Sequence, residues 1–405
     1  MKKDRREFLK STVGLTALTS LVPAIAVGQS FSIESRDPDL GHVFLTSPYL
    51  QNPSPNAITV MFIVNLPSYS YVEFGESEEL GKKAHKTENG LVVAYNRVNK
   101  ITLLNLKPAT TYYYRVVSKE ISKFDPYNLI YGETIVSYIH SFITPSFEKD
   151  DVSVLIMNDL HERPYSIPHL MNLVDKKEMD FVFFNGDVFD YQEDEKQIID
   201  NMLTPCCDEF ASNIPFYFVR GNHETRGKFA RELYHYFATP KEQQYYEFLW
   251  GVTHFTVLDT GEDKPDTDKE YGNIVDFDSY REEQLQWFKK VVQTAGFKKA
   301  KFRVVLMHIP FFHSDDWHGT KHLEKLFSSI FNDSKIDICI CGHTHRYGVY
   351  SPDKKKHRYP IIIGGGPKEG NRTIISLKAN SKQLSLKMMR DDGKLVGNYD
   401  IVPKE

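Results

Sequence analysis

The sequence predicts two folded units in series. Residues 41–147 read as an all-β sandwich, and residues 148–405 as an α/β domain in four layers, α/β/β/α, with two facing sheets. Three observations predict this. From residue 41 to about 145 the chain runs through strands, with 57–64 apolar and 69–74 alternating. After residue 150, short apolar runs alternate with helical patterns at 168–176, 193–203, 228–237, 277–293 and 320–331. Five of those apolar runs end at Asp, Asn or His.

The five runs carry the chemistry. Residues 152–157 lead to Asp159-Leu160-His161, and 181–184 run into Asn185-Gly186-Asp187. Residues 215–219 lead to Gly221-Asn222-His223-Glu224, 302–307 to His308, and 336–341 to Gly342-His343-Thr344-His345. A continuous apolar run suits a strand buried on both faces of a parallel sheet. In open α/β sheets, functional groups gather beyond the carboxyl ends of such strands. Carboxylate, amide oxygen and imidazole are hard to borderline metal ligands. The two oxygens of Asp187 can bridge two ions, and two cations about 3.5–4 Å apart clamp a phosphate. One Asp-x-His says nothing, and a lone histidine is ordinarily a surface or core residue. Five such ends in this order are a specific signal. His169, His235, His254, His322 and His357 lack a motif and read as structural.

At 405 residues, with 41% hydrophobic and 26% charged residues, the chain has ordinary soluble-domain composition, and its 27 Phe and 23 Tyr can fill sizeable cores. It has no basic block that would suggest nucleic-acid binding. Residues 1–26 read as a twin-arginine signal peptide: Arg5-Arg6, a mildly apolar stretch over 13–25, and Ala24-Ile25-Ala26 as a small-x-small cleavage site. The expectation is recognition by the twin-arginine export machinery, cleavage, and a periplasmic or extracellular protein without a stable membrane anchor. A retained anchor is the alternative. No later stretch reaches transmembrane length. The first 26 residues carry five Lys/Arg and two Asp/Glu, so their removal takes the formal charge from −4 to −7. Export of a folded chain would let metals load beforehand. The four cysteines fit that route: Cys206 and Cys207 are adjacent, Cys339 and Cys341 share a strand face, and all read as free or core thiols. A bridge from 206/207 to 339/341 is the alternative.

Residues 27–40 are polar and read as a linker. In the sandwich, Leu106-x-Pro108-x-Thr110-x-Tyr112 resembles the tyrosine corner of fibronectin type III-like domains, where ring and hydroxyl serve structure alone. Phe62 stands where such sandwiches often carry Trp. Residues 142–145 read as the last strand and 146–151 as the connector. In the second domain, 245–249 and 254–258 read as paired antiparallel strands, and short strands follow at 360–363, 372–377, 383–389 and 396–401. Gly364-Gly365-Gly366-Pro367 lacks the Lys-Ser/Thr and helix of a P-loop and reads as a tight turn near the site.

The series Asp-x-His, Gly-Asp, Gly-Asn-His-Glu, His and Gly-His-x-His resembles the calcineurin-like metallophosphoesterases over about residues 150–405. With the preceding sandwich, the chain looks most like the purple acid phosphatase group. The resemblance implies that Asp159, His161 and His345 bind one ion, Asn222, His308 and His343 a second, and that Asp187 bridges. It also implies that His223 faces the scissile phosphate, to stabilise the transition state or protonate the leaving oxygen, with Glu224 or another carboxylate orienting it. One departure matters. The purple enzymes place a metal-binding Tyr three residues after the bridging Asp and lack the first-motif histidine. Here Asp190 holds that position, Tyr191 follows it, and His161 is present. Imidazole in place of phenolate suits zinc, manganese and ferrous iron, so the cofactor is two metal ions, Fe, Zn or Mn. Asp190 reads as a supporting or capping carboxylate. His313, Trp317 and His318 follow ligand His308 in one loop and read as substrate-pocket candidates, against a plain surface loop.

The resulting expectation is an exported, two-metal phosphoesterase. It would hydrolyse phosphomonoesters of small molecules by in-line attack of a metal-bound hydroxide, with His223 assisting. The alternatives are a phosphodiesterase or nucleotide pyrophosphatase on the same fold, or a non-catalytic phosphate-binding protein, against which the full ligand set argues.

Overall fold

The computed structural model describes residues 41–176 and 179–403. The signal and linker readings over 1–40 lie outside the described residues. Among those described, no helix is long and apolar enough to cross a membrane.

The N-terminal part is made of β1 (Tyr49–Ser54), β2 (Ala57–Gly75), the short β3 (Lys82–Ala84), β4 (Thr87–Glu88) and β5 (Leu91–Val92), then β6 (Asn96–Leu103), β7 (Thr111–Asp125), β8 (Asn128–Val136) and β9 (His140–Ile143). The two expected runs at 57–64 and 69–74 are one strand, β2. It pairs with β6 across a register shift between Ile63 and Ser68, which absorbs Pro67. Alternating residues of β2, β6 and β7 bury Ile58, Val60, Phe62, Val72, Leu103 and Val116 in one core. Tyr112 joins it, stacked on Phe142, and its hydroxyl accepts a hydrogen bond of 3.0 Å from the Lys107 amide. That is the turn-tying contact expected of this tyrosine.

The second part supplies β10 (Val152–Met157), β11 (Phe181–Asn185), β12 (Phe216–Val219), β13 (Tyr246–Trp250), β14 (Thr253–Leu258), β15 (Phe302–Met307), β16 (Ile338–Cys341), β17 (Gly348–Tyr350), β18 (Ile361–Ile363), β19 (Thr373–Ala379), β20 (Leu384–Arg390) and β21 (Leu395–Ile401). β10, β11 and β12 run parallel, with β19 antiparallel beside β10. The second sheet orders its six strands β13-β14-β15-β16-β18-β17. Between the two sheets lies a core of Phe181, Phe183, Tyr217, Phe255, Val304 and Ile340. The outer face of the first sheet packs on α1 (Ser166–Met171), α2 (Glu195–Ile198) and α3 (Thr204–Cys206); the latter two belong to a helical stretch that continues through π turns to Ala211. The outer face of the second packs on α4 (Phe277–Val291), α5 (Ala295–Lys299) and α6 (His318–Asp333), through Phe288, Phe297, Leu323 and Phe327. The expected four layers are present.

The first sheet continues into the N-terminal strands. β1 pairs parallel with β12, Gln51 opposite Phe216, giving a 13-stranded sheet. Tyr49 Oη donates to the Tyr236 carbonyl at 2.9 Å and Tyr114 Oη to the Ser212 carbonyl at 2.7 Å, so the junction is tied by buried phenols as well.

Residues 228–237 are not the expected α-helix but two 3₁₀ turns, Lys228–Arg231 and Leu233–Tyr236. The three-residue repeat turns Leu233 and Tyr236 to the same side, into the core. All four cysteines are free, and the 206/207-to-339/341 bridge is not formed. Cys339 and Cys341 share one face of β16 with their sulfurs 3.6 Å apart.

Candidate metal centre

The expected ligands lie just past the strand ends, where the chain turns sharply. Asp159, His161, Asp187, His343 and His345 have φ of 52°, 50°, 51°, 71° and 54°. A non-glycine residue held there costs about 1–3 kcal/mol and persists only where its surroundings over-determine it. Those surroundings are tight. At Gly221 a Cβ would lie 2.2 Å from Asp187 Oδ1, and at Gly186, itself at φ 82°, 2.5 Å from the His308 ring. Asn185 sews the two sheets together here. Its side-chain amide nitrogen donates to the carbonyls of Met307 and Ile340 at 3.1 and 3.2 Å, and its backbone carbonyl accepts from His308 Nδ1 at 2.8 Å.

Three overlapping sets of possible ligand atoms result: one joins His161, Asp190 and His223, and the other two contain Asp187. Of those two, Asp159, His161, Asp187 and His345 form one, and Asp187, His308 and His343 the other. In the first, the Nε2 atoms of His161 and His345 are 2.9 Å apart, with Asp159 Oδ1 3.3 Å from His345 Nε2 and 3.8 Å from His161 Nε2. In the second, His308 Nε2 is 3.0 Å from Asp187 Oδ2, and His343 Nδ1 is 3.0 Å from Asn222 Oδ1, which brings the amide oxygen in. Asp159 Oδ1 and His308 Nε2 are buried with no hydrogen-bond partner. Buried polar atoms are rarely left unpaired, and these two point at their neighbours' ligand atoms, so the residues fit a pair of cations.

Electrostatics say the same. Burial alone would raise Asp159 and Asp187, but the charge of His308, above all, holds both well below the carboxylate range. Burial disfavours charge on His161, yet Asp159, Asp187 and Asp190 push it up to about 9. His308 opposes its burial in the same way, through Asp187 and Asp159, and rises to about 10. His343, desolvated and beside His308, falls to about 4.

The supporting residues differ in part from expectation. Asp190 meets His161: its carboxylate accepts from His161 Nδ1 at 2.7 Å, which leaves Nε2 facing His345. Glu224 does not touch His223. Its buried carboxylate accepts from the amides of Asp187, Phe189 and Gly221 at 2.9, 3.1 and 2.6 Å, because the 3₁₀ turn His223–Thr225, with three residues per turn, sets adjacent side chains about 120° apart. Burial, then Asp187, raises it to about 7. His223 is set instead by the Asp190 carbonyl, which accepts from Nδ1 at 2.8 Å, and by Arg226, whose Nη1 donates to Nε2 at 3.2 Å. Glu262 holds Arg226 in a fork, at 2.8 Å to Nε and 3.0 Å to Nη2. Sequence reasoning missed Arg226 and Glu262. Arg226 lies three residues past His223, but Glu262 follows β14 with no motif to mark it. It also missed Asn158, whose amide bonds Asp159 and, at 2.9 Å, the Gly365 carbonyl. The glycine turn does border the site, with Gly366 against the His345 side chain.

The structure does not bring the 313–318 loop into the ligand cluster. His313 stacks on Tyr350 and meets His357 at 2.8 Å, and His318 turns to Asp278. Trp317 is half exposed at the start of α6. Tyr191 is 48% exposed.

Comparison with known proteins agrees with this geometry. Residues 152–347 match the family model "Calcineurin-like phosphoesterase". The chain is 23% identical over 360 residues to Purple acid phosphatase 21 of Arabidopsis thaliana, covering 82% of this chain and 73% of that one. It is 27% identical over 231 residues to a protein of Arcobacter nitrofigilis called "Probable glycerophosphodiester phosphodiesterase GpdQ", covering 55% of this chain and 75% of that one. Among solved structures, a purple acid phosphatase from yellow lupin (Lupinus luteus) seeds superposes with a TM-score of 0.65 at 16% identity, covering 88% of this chain and 74% of that one, a likeness of fold.

Proposed function

We propose that this chain, whose residues 152–347 match the family model of the calcineurin-like phosphoesterases, is a two-metal phosphoesterase that hydrolyses phosphomonoesters of small molecules. The observation that carries the reading is Asp187, whose carboxylate belongs to two of the sets of possible ligand atoms at once. A shared carboxylate is what keeps two cations about 3.5–4 Å apart. In this reading Asp159, His161 and His345 hold one ion and Asn222, His308 and His343 the other. Once bound, such ions supply Lewis-acid polarisation of phosphoryl oxygens and a nucleophile at neutral pH.

The chain's own residues do the rest. With Nδ1 donating to the Asp190 carbonyl, Nε2 is the His223 nitrogen left for the leaving oxygen, and to act as an acid there it takes up a proton and releases its contact with Arg226 Nη1. Burial, and then Arg226, disfavour its charged form, while Asp187 favours it. Arg226, aimed by Glu262, sets a fixed positive charge beside that nitrogen, where it complements an entering phosphate dianion. Asp190 holds His161 in the tautomer that leaves Nε2 available.

Phosphodiester hydrolysis is the second reading, favoured by the name of the Arcobacter relative. Initial rates on 4-nitrophenyl phosphate and its bis ester, with Zn²⁺, Mn²⁺ or Fe²⁺ loaded, separate the two. Faster monoester turnover supports the proposal, faster diester turnover the second reading, and turnover of neither with both ions bound a non-catalytic protein. The tyrosine corner at Tyr112 supports reading 41–147 as a fibronectin type III-like domain. Export through the twin-arginine route remains our reading of residues 1–26, tested by locating the chain after Arg5→Lys with Arg6→Lys.

A further inference from the structure

We propose that Asp278, His318 and His322 form a third metal site, apart from the Asp187 cluster, that takes a divalent ion of the zinc class. His318 is the first residue of α6 and His322 follows one turn later, so both rings stand on one face of the helix. Their centroids are 5.9 Å apart and the rings are inclined by only 27°. Asp278, in the first turn of α4, meets both. Its Oδ1 and Oδ2 lie 2.9 and 2.8 Å from His318 Nε2, and Oδ1 lies 3.0 Å from His322 Nδ1. The three side chains bring one ligand atom each within 4.8 Å of one another. Two imidazoles four residues apart on a helix, with a carboxylate from a neighbour, are a donor set for zinc-class ions that leaves positions for water.

Two details set this cluster apart from an ordinary ion pair. His318 Nε2 sits evenly between both carboxylate oxygens rather than on one. His322 Nδ1 is buried and, despite the 3.0 Å approach, makes no hydrogen bond, so a ligand atom is left unused inside the cluster. The neighbouring charges are Arg281 and Glu282. Arg281, fully buried, donates from Nη1 to Asp278 Oδ1 at 2.8 Å. It opposes a cation, but it engages Oδ1 and leaves Oδ2 toward His318. Glu282 Oε1 lies 4.0 Å from His322 Nε2, a negative charge on the side of the ring nitrogen that does not ligate. His318 and Asp278 keep 39% and 38% of their side-chain surface exposed, so an ion reaches the site from solvent. Bound there, it clasps the first turn of α6 to α4. That turn also holds the loop carrying Glu262, since the Gly319 amide donates to the Asp263 carbonyl at 2.7 Å.

The test is zinc stoichiometry. The full chain, stripped by chelator, is dialysed against micromolar free Zn²⁺ and the metal per chain is measured for the wild type, His318→Gln with His322→Gln, and Asp187→Ala. The proposal expects the double variant to hold one equivalent fewer than the wild type, and Asp187→Ala to keep that equivalent while losing the paired ions. It also expects Zn²⁺ to raise the Tm of Asp187→Ala, and not to do so when the two Gln changes are added. Should the double variant not fold, His318→Gln alone, at an exposed position, is expected to weaken the same equivalent at least tenfold. Equal zinc in the wild type and the histidine variants overturns the proposal.

Discussion

The Nε2 atoms of His161 and His345 face each other 2.9 Å apart, from the ends of strands on opposite sheets. The Asp190 carboxylate accepts the hydrogen bond from His161 Nδ1, and Asp159 Oδ1 stands 3.3 Å from His345 Nε2 without a hydrogen bond of its own. Two imidazoles converging in front of a buried carboxylate are a candidate ligand set, and in our proposal His161 takes the part that a tyrosine plays in the purple enzymes.

The iron-loaded, oxidised protein is therefore expected to lack the purple colour. The visible band of the purple enzymes needs a phenolate on ferric iron, and Tyr191, the nearest tyrosine in the sequence to Asp190, is turned half to solvent. An absorption spectrum decides it. A strong visible band that disappears in Tyr191→Phe would place the phenolate on the metal and unseat His161.

His223→Ala is expected to keep both ions of the pair and lose about 10²–10⁴-fold in turnover, the usual contribution of a general acid–base group. Its ring contacts are the Asp190 carbonyl and Arg226, together with an edge-on approach to His161, and its Nε2 is not in either ligand set that contains Asp187. Metal content and kcat measured on one preparation check this. Unchanged turnover would remove His223 from the chemistry.

Much of this was legible in the sequence, because strands buried on both faces announce themselves as short apolar runs and their ligand residues follow directly. Asp159, His161, Asp187, Asn222, His308, His343 and His345 come together from five such ends. α4 and α6 were legible from their 3.6-residue pattern. What escaped notice depends on contacts between distant segments. Glu262 reaches Arg226 across 36 positions, and β1 reaches β12 across the junction of the two parts. The turns at 228–237 follow from packing Leu233 and Tyr236 into the core, a tertiary effect stronger than local helix preference. His322, read as structural for want of a motif, meets Asp278 from another helix.

Arg226→Ala is expected to destabilise the fold by about 3–5 kcal/mol, because it strands the buried Glu262 carboxylate, whose remaining side-chain partners are hydroxyls. Adding Glu262→Gln should recover part of that loss. Burial would raise Glu262, but Arg226 brings it below its ordinary value. The contribution of the pair is thus full above the unfolded carboxylate pKa, about 4.3, and lost as pH falls through the lower folded value. Urea unfolding of the two variants and the wild type at pH 7 and pH 3.5 measures both effects. A second change that adds to the first without recovery would argue against the pairing.

Gly221→Ala is expected to weaken metal binding even where the chain still folds. Its Cβ would lie 2.2 Å from Asp187 Oδ1 and 2.7 Å from the Asp187 amide, so the shared carboxylate must move. Metal content against circular dichroism checks this, and a variant with full occupancy would show that the loop yields without disturbing Asp187.

The most direct test of the central claim is anomalous diffraction from crystals of the metal-loaded protein. The account predicts two peaks about 3.5–4 Å apart, one on each side of the Asp187 carboxylate. The first would touch Asp159, His161 and His345, and the second Asn222, His308 and His343. A single peak in the cluster, or a pair not bridged by Asp187, would contradict it.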